Sequence, residues 1–103
     1  MSTHRIPEFT APPPGDLSTI TVAGRSIAVT VDAGKAYAFD DACTHAQCSL
    51  SGGEVEDGAV ICPCHFAVFD VTTGAVRTGP AQTALRCYRA QLSDGALTVE
   101  VPE

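Results

Sequence analysis

The chain has no tryptophan, one methionine, 6% aromatic residues and only six basic residues against twelve acidic ones. The shortage of lysine and arginine argues against an electrostatic nucleic-acid binder, which needs clustered positive charge. A net charge of −6 suits a partner with a basic docking surface instead. No stretch approaches the roughly 20 apolar residues that span a bilayer. The opening Met1-Ser2-Thr3-His4-Arg5-Ile6-Pro7 holds neither an apolar run nor twin arginines, so no export signal is expected and the protein is expected in the cytoplasm, away from membranes. Internal repeats and low-complexity runs are absent, and helical periodicity is almost absent. At 103 residues the natural count is one domain, with a core limited by its surface-to-volume ratio.

The recurring pattern is a short β-branched or aromatic run, then a glycine turn, then another run. Ser18 to Val22 and Ser26 to Val31 flank Ala23-Gly24, and Ala36 to Asp40 follows Asp32-Ala33-Gly34. Val60-Ile61 follows Glu56-Asp57-Gly58, and Val68 to Val71 precedes Thr72-Thr73-Gly74. Leu85 to Leu92 and Ala96 to Val101 flank Ser93-Asp94-Gly95, the strongest hairpin signal, because Asp and Gly suit the positive φ of a tight turn. Ala11-Pro12-Pro13-Pro14-Gly15 reads as a stiff surface connection. The pattern predicts an all-β domain, a small antiparallel sandwich or barrel.

One segment departs from it. Cys43 to Cys64 contains four of the five cysteines and one of the three histidines, and a second histidine, His65, adjoins it. It is too polar and glycine-rich to be expected to fold around its own core, and reads as two loops held by something inorganic. In a reducing compartment, five cysteines fit metal or redox chemistry better than a disulfide scaffold. The loops are Cys43-Thr44-His45-Ala46-Gln47-Cys48 and Cys62-Pro63-Cys64-His65, separated by a single connection. Together they offer two thiolates and two imidazoles, one of each per loop. Thiolates are soft anionic donors for ferric iron or zinc, and imidazoles suit either. Two readings stand: a tetrahedral structural zinc, or a 2Fe–2S centre with two cysteines on one iron and two histidines on the other.

Cys43-x-His45 with Cys62-x-x-His65 resembles the signature of Rieske iron–sulfur proteins. The likeness runs from about Ala36 to Val101. Tyr37 to His45 resembles the strand entering the first loop, and Ser49-Leu50-Ser51-Gly52-Gly53 resembles the stretch after that loop in oxygenase-linked Rieske ferredoxins. Phe69-Asp70, Thr73-Gly74 and Gly79-Pro80-Ala81 resemble the strand, turn and proline loop after the second motif. The resemblance implies a single Rieske domain over residues 1–103, with a cluster-binding subdomain of two loops inserted at approximately 42–81. It also implies one 2Fe–2S cluster, with Cys43 and Cys62 on the inner iron and His45 and His65 on the outer. With neutral histidines, one-electron reduction takes that cluster from zero to −1, against −2 to −3 for an all-cysteine cluster. The potential therefore rises to roughly −150 to +300 mV from about −400 mV.

By the same resemblance, Cys48 and Cys64 stand where quinol-oxidising Rieske proteins carry a disulfide. The bond is expected here, closing a loop worth on the order of 3 kcal/mol in a chain-entropy account. The positions that supply cluster-directed hydroxyls in that branch hold Phe66, Ala67 and Phe69 instead, which implies a lower potential. Ala46, Phe66 and Pro80 are expected to ring the histidine edges as a docking surface. Glu54, Glu56 and Asp57 form either a steering patch or an ordinary solvated turn.

No catalytic residue is expected. A mononuclear-iron domain is not expected in a chain of this length, and the protein is read as an electron carrier and as a monomer. Its expected partners are a flavin-dependent ferredoxin reductase and the terminal oxygenase of an aromatic-ring-hydroxylating system. The alternatives are a small subunit of a nitrite reductase or arsenite oxidase, and a structural zinc module. His4 is expected in a frayed terminus and Cys87 in the core. Asp40-Asp41 is expected to cap or turn the backbone. Phe9, Tyr37, Phe39 and Tyr88 are expected as core or interface aromatics.

Overall fold

The structure is a computed structural model that describes residues 2–13, 15–41, 49–63, 66–78, 84–93 and 95–101. Its elements in chain order are β1 (Ser2–Ile6), β2 (Ser18–Val22), β3 (Arg25–Asp32), β4 (Lys35–Asp40), a 3₁₀ turn (Leu50–Gly52), β5 (Glu54–Glu56), β6 (Ala59–Ile61), β7 (Val68–Asp70), β8 (Val76–Thr78), β9 (Cys87–Ser93) and β10 (Ala96–Val101). They form two antiparallel sheets. The larger has the order β1-β10-β9-β4-β3-β2 and the smaller the order β5-β6-β7-β8. Among the described residues no helix is long and apolar enough to cross a membrane.

The hairpins form where residue chemistry permits their turns. Ala23-Gly24, Ala33-Gly34 and Asp57-Gly58 all have positive φ at both central residues, with 52° at the first of each pair. Such turns match the right-handed twist of the strands they join. Asp suits this conformation, whereas alanine incurs a steric penalty in it. The β9–β10 hairpin forms as expected, with Ala96 opposite Ser93.

β3 and β4 are covered on both faces. Ile27 and Val29 pack with Ala38, Leu97, Val99 and Val101 on one side. Ala28 and Phe39 face a second cluster that holds Leu50, Val60, Cys62, Ala67 and Phe69. That second cluster joins the large sheet to the small one. The aromatics fall as expected: Phe39 is fully buried, Tyr88 nearly so, and Phe9 and Tyr37 are packed at the margins.

Two expectations need correction. The N-terminus is not frayed: Ser2–Ile6 pairs along β10, with His4 opposite Val99. Its alternating half-buried and exposed residues are the two-residue period of a strand, and Ser2, His4 and Ile6 share the covered side. Second, the segment between the two loops is not all loop. Glu54–Ile61 is a hairpin whose Val60 is fully buried, and apolar residues at 55, 59 and 60 suffice when a partner sheet covers them. Val76–Thr78, which the sequence pattern did not single out as a strand, completes the small sheet against β7.

Candidate metal centre

Of the residues expected to hold a cluster, Cys62 is described. Cys43, His45 and His65 lie outside the described residues, as do Cys48, Cys64, Ala46 and Pro80. The roots from which both loops spring are described.

The second loop starts at the end of β6. Cys62 donates its N–H to the Ala67 carbonyl at 2.8 Å, and its own carbonyl accepts the Phe66 N–H at 3.0 Å. These two bonds tie the ends of residues 62–67 together. Cys62 forms no disulfide and has no exposed surface, set among Leu50, Val60 and Ala67. Phe66 sits at φ +61°, in the left-handed region that a bulky residue enters only at a cost. Phe66 is also 69% exposed, the one large apolar side chain so exposed among the described residues. Ala67 and Phe69 are fully buried.

The first loop leaves after Asp41 and returns at Ser49. The Leu50 N–H donates to the Asp41 carbonyl at 2.7 Å, so the two ends of the loop meet. The Asp41 side chain reinforces the closure. Its Oδ1 accepts the Ser51 N–H at 2.7 Å and its Oδ2 accepts the Ser51 hydroxyl at 3.0 Å. The capping role expected of Asp41 is what the side chain performs. Its neighbour Asp40 turns to the large sheet, where the Tyr88 hydroxyl donates to Asp40 Oδ1 and accepts from Arg25 Nη1 at 3.3 Å. Burial first, and then the Asp40 carboxylate, push the Tyr88 hydroxyl above its ordinary pKa.

Gly53 brings the loops together. A Cβ there would lie 2.1 Å from the Ile61 carbonyl oxygen and 3.2 Å from Pro63 Cδ. Only glycine allows the return of the first loop to lie against the root of the second. In the sequence Gly52-Gly53 stands out by resemblance alone, without this steric reason. The available signal was a glycine pair directly before an apolar alternation, which marks close backbone approach. Beside this contact, Asp16, Gly53, Glu54, Ile61, Pro63 and Phe66 line a groove of about 490 Å³.

Away from the loops, Cys87 is half-buried at the margin of the core, and burial raises its thiol pKa. Asp70 closes the β7–β8 turn. It accepts from Thr72 Oγ1, from the backbone N–H groups of Thr72 and Thr73, and from Arg77 Nη2 at 2.7 Å. The Thr72 hydroxyl bond and then the Arg77 guanidinium hold its carboxyl well below the usual carboxylate range.

Residues 5–89 match the Rieske [2Fe-2S] domain. This chain is a member of the Rieske family. The Rieske chain is 38% identical over 97 residues to the anthranilate 1,2-dioxygenase ferredoxin subunit of Burkholderia cepacia, covering 93% of this chain and 86% of that protein. It is 30% identical to the ferredoxin component of the naphthalene 1,2-dioxygenase system of Pseudomonas aeruginosa, covering 86% of each. Among solved structures, the ferredoxin of carbazole 1,9a-dioxygenase from Nocardioides aromaticivorans IC177 superposes with a TM-score of 0.87 at 27% identity, over 96% of this chain and 97% of that one. A carbazole 1,9a-dioxygenase complex of reduced oxygenase and oxidised ferredoxin contains a chain that superposes with a TM-score of 0.80 at 29% identity, over 86% and 92% of the two chains. The protein is accordingly an electron-transfer ferredoxin with one 2Fe–2S cluster, and not itself a catalytic enzyme.

Proposed function

We propose that this ferredoxin passes single electrons from a flavin-dependent reductase to the terminal oxygenase of an aromatic-ring-hydroxylating system, as a cytoplasmic monomer. In this reading Cys43 and Cys62 hold one iron of the cluster and His45 and His65 the other, within a subdomain of about residues 42–81. The burial of Cys62 is compatible with a metal ligand, because a bound metal would supply the positive charge that its thiolate form needs there. The frame fits as well, because the roots of both loops pack in one core cluster through Leu50 and Cys62. When bound, the cluster supplies a one-electron couple. The chain holds its ligand loops, excludes water around Cys62 and presents a surface to the partner.

The observation that carries the docking role is Phe66. A residue both backbone-strained and apolar in solvent is disfavoured twice over for the folded chain alone, which points to use in contact with another molecule. Ala46 and Pro80, which lie outside the described residues, are assigned to the same docking role by the family resemblance alone, and Glu54 lines the groove that Phe66 also lines. The test is stopped-flow mixing of the reduced protein with the oxygenase component of an aromatic-ring dioxygenase. Wild-type protein is expected to donate its electron, and Phe66→Ala to lower the second-order rate constant about tenfold with an unchanged absorption spectrum. An unaltered rate in the variant would remove Phe66 from the docking surface. Failure of the wild-type protein to reduce any such oxygenase would overturn the assigned function.

A further inference from the structure

We infer that Asp41 is a positioning residue for the cluster, clamping the two ends of the first ligand loop through Ser51. The inference rests on the reading of Cys43 and His45 as ligands. The first loop leaves the described frame at Asp41 and rejoins it at Ser49, and three hydrogen bonds from Asp41 span that gap. One uses its main-chain carbonyl, to Leu50, and two use its carboxylate, to the Ser51 N–H and hydroxyl. Its own N–H is fixed to the Ser26 carbonyl at 3.1 Å, so the clamp is anchored in β3. Leu50, held on the far side of the clamp, is fully buried in the same cluster as Cys62. Fixing Leu50 and Ser51 to Asp41 therefore holds the flanks of the first loop in the core cluster that contains Cys62.

Two further observations separate this from an ordinary turn. Asp41 is only 7% exposed, and among the described residues it makes no ion pair, since the salt bridges there join Arg77 to Asp70 and Arg89 to Glu100. A buried carboxylate held by neutral donors is costly and is retained where its geometry or charge is needed. In addition, successive side chains at a strand end point to opposite sides. Asp40 uses this to bind Tyr88 in the large sheet, while Asp41 binds the returning loop. The pair ties the loop root to both halves of the molecule. Asp41 is also only two residues before the proposed ligand Cys43 in the chain, about 7 Å at most between Cα atoms, so removing its carboxylate is expected to register in the midpoint.

The test compares cluster-loaded wild-type protein with Asp41→Asn, Ser51→Ala and Ser51→Thr. Iron release into a chelator is followed by visible absorption, the midpoint by protein-film voltammetry and the reduced cluster by EPR. Asp41→Asn is expected to release iron about tenfold faster and Ser51→Ala about threefold faster, with Ser51→Thr close to wild type because it restores the hydroxyl. Asp41→Asn is expected to raise the midpoint, because the opposing charge is gone, whereas Ser51→Ala leaves it unchanged. Loss of overall stability alone would not produce that split. Wild-type iron release in Ser51→Ala and Asp41→Asn, or an unmoved midpoint in Asp41→Asn, would overturn the inference. If Asp41→Asn does not fold, Ser51→Ala with its threonine rescue decides. Absence of a mixed histidine–cysteine EPR signal from the wild-type protein would instead refute the ligand assignment itself, and the clamp with it.

Discussion

At the scale of single residues, Phe66, Ala67 and Phe69, which follow Cys62-Pro63-Cys64-His65, differ sharply in exposure. Phe66 turns outward in a left-handed conformation, while Ala67 and Phe69 turn inward and are completely buried. None of the three carries a hydroxyl, so none can donate a side-chain hydrogen bond to a cluster sulfur. Such donors stabilise the electron-rich reduced state, and their absence favours the oxidised one. The midpoint is therefore expected in the lower part of the Rieske range of roughly −150 to +300 mV. Voltammetry of the wild-type protein checks this directly, and a midpoint near the top of that range would contradict it. These residues were legible in the sequence because their chemistry is local. That Phe66 is exposed rests on what packs around it, which only the folded chain defines.

At the scale of elements, short strands are held by the turns between them. The small sheet has only three residues per strand, so its pairing alone contributes little. Asp70 compensates by fixing the β7–β8 turn, and the turn is seated by Gly74, where a Cβ would lie 2.2 Å from the Leu85 carbonyl oxygen. Because Asp70 has a depressed pKa in the folded state, its contribution is present above the unfolded value of about 3.9 and is lost as pH falls through the folded value. Asp70→Asn is expected to lower the thermal unfolding midpoint at pH 7 by about 4–8 °C. The gap should narrow below about pH 4, as wild-type protein alone loses this support. Thermal scans from pH 7 to pH 3 provide the measurement, and a gap constant across that range would refute the role. The turn was readable from Thr72-Thr73-Gly74, but β8 was not, because Val76-Arg77-Thr78 is a strand only by virtue of its pairing with β7.

At the scale of the whole molecule, the net charge of −6 bears on association rather than on fold. Glu54, Glu56 and Asp57 are exposed on the β5–β6 hairpin, with Glu54 in the wall of the groove that also holds Phe66. Attraction to a basic partner is screened over about 10 Å at 0.1 M salt. The second-order rate of electron transfer to the oxygenase is thus expected to fall several-fold between about 0.05 and 0.5 M salt. Stopped-flow kinetics over that range test it, and a rate that rises with salt would exclude a basic partner surface.

Sequence by itself determined the class of fold and most of the large sheet, and it supplied the donor types from which the ligand set is proposed. Those derive from period-two alternation, glycine turns and donor identity, which are local properties. Tertiary structure decided the rest. It placed Ser2–Ile6 beside β10, because an isolated five-residue alternation becomes a strand only when an edge is available to it. It set Gly53 against Ile61 and Pro63, a close approach of one loop to the other that no side-chain pattern announces. It also turned Asp40 and Asp41 to opposite partners, Tyr88 and Ser51, because burial and hydrogen-bond geometry exist only once the two sheets have met.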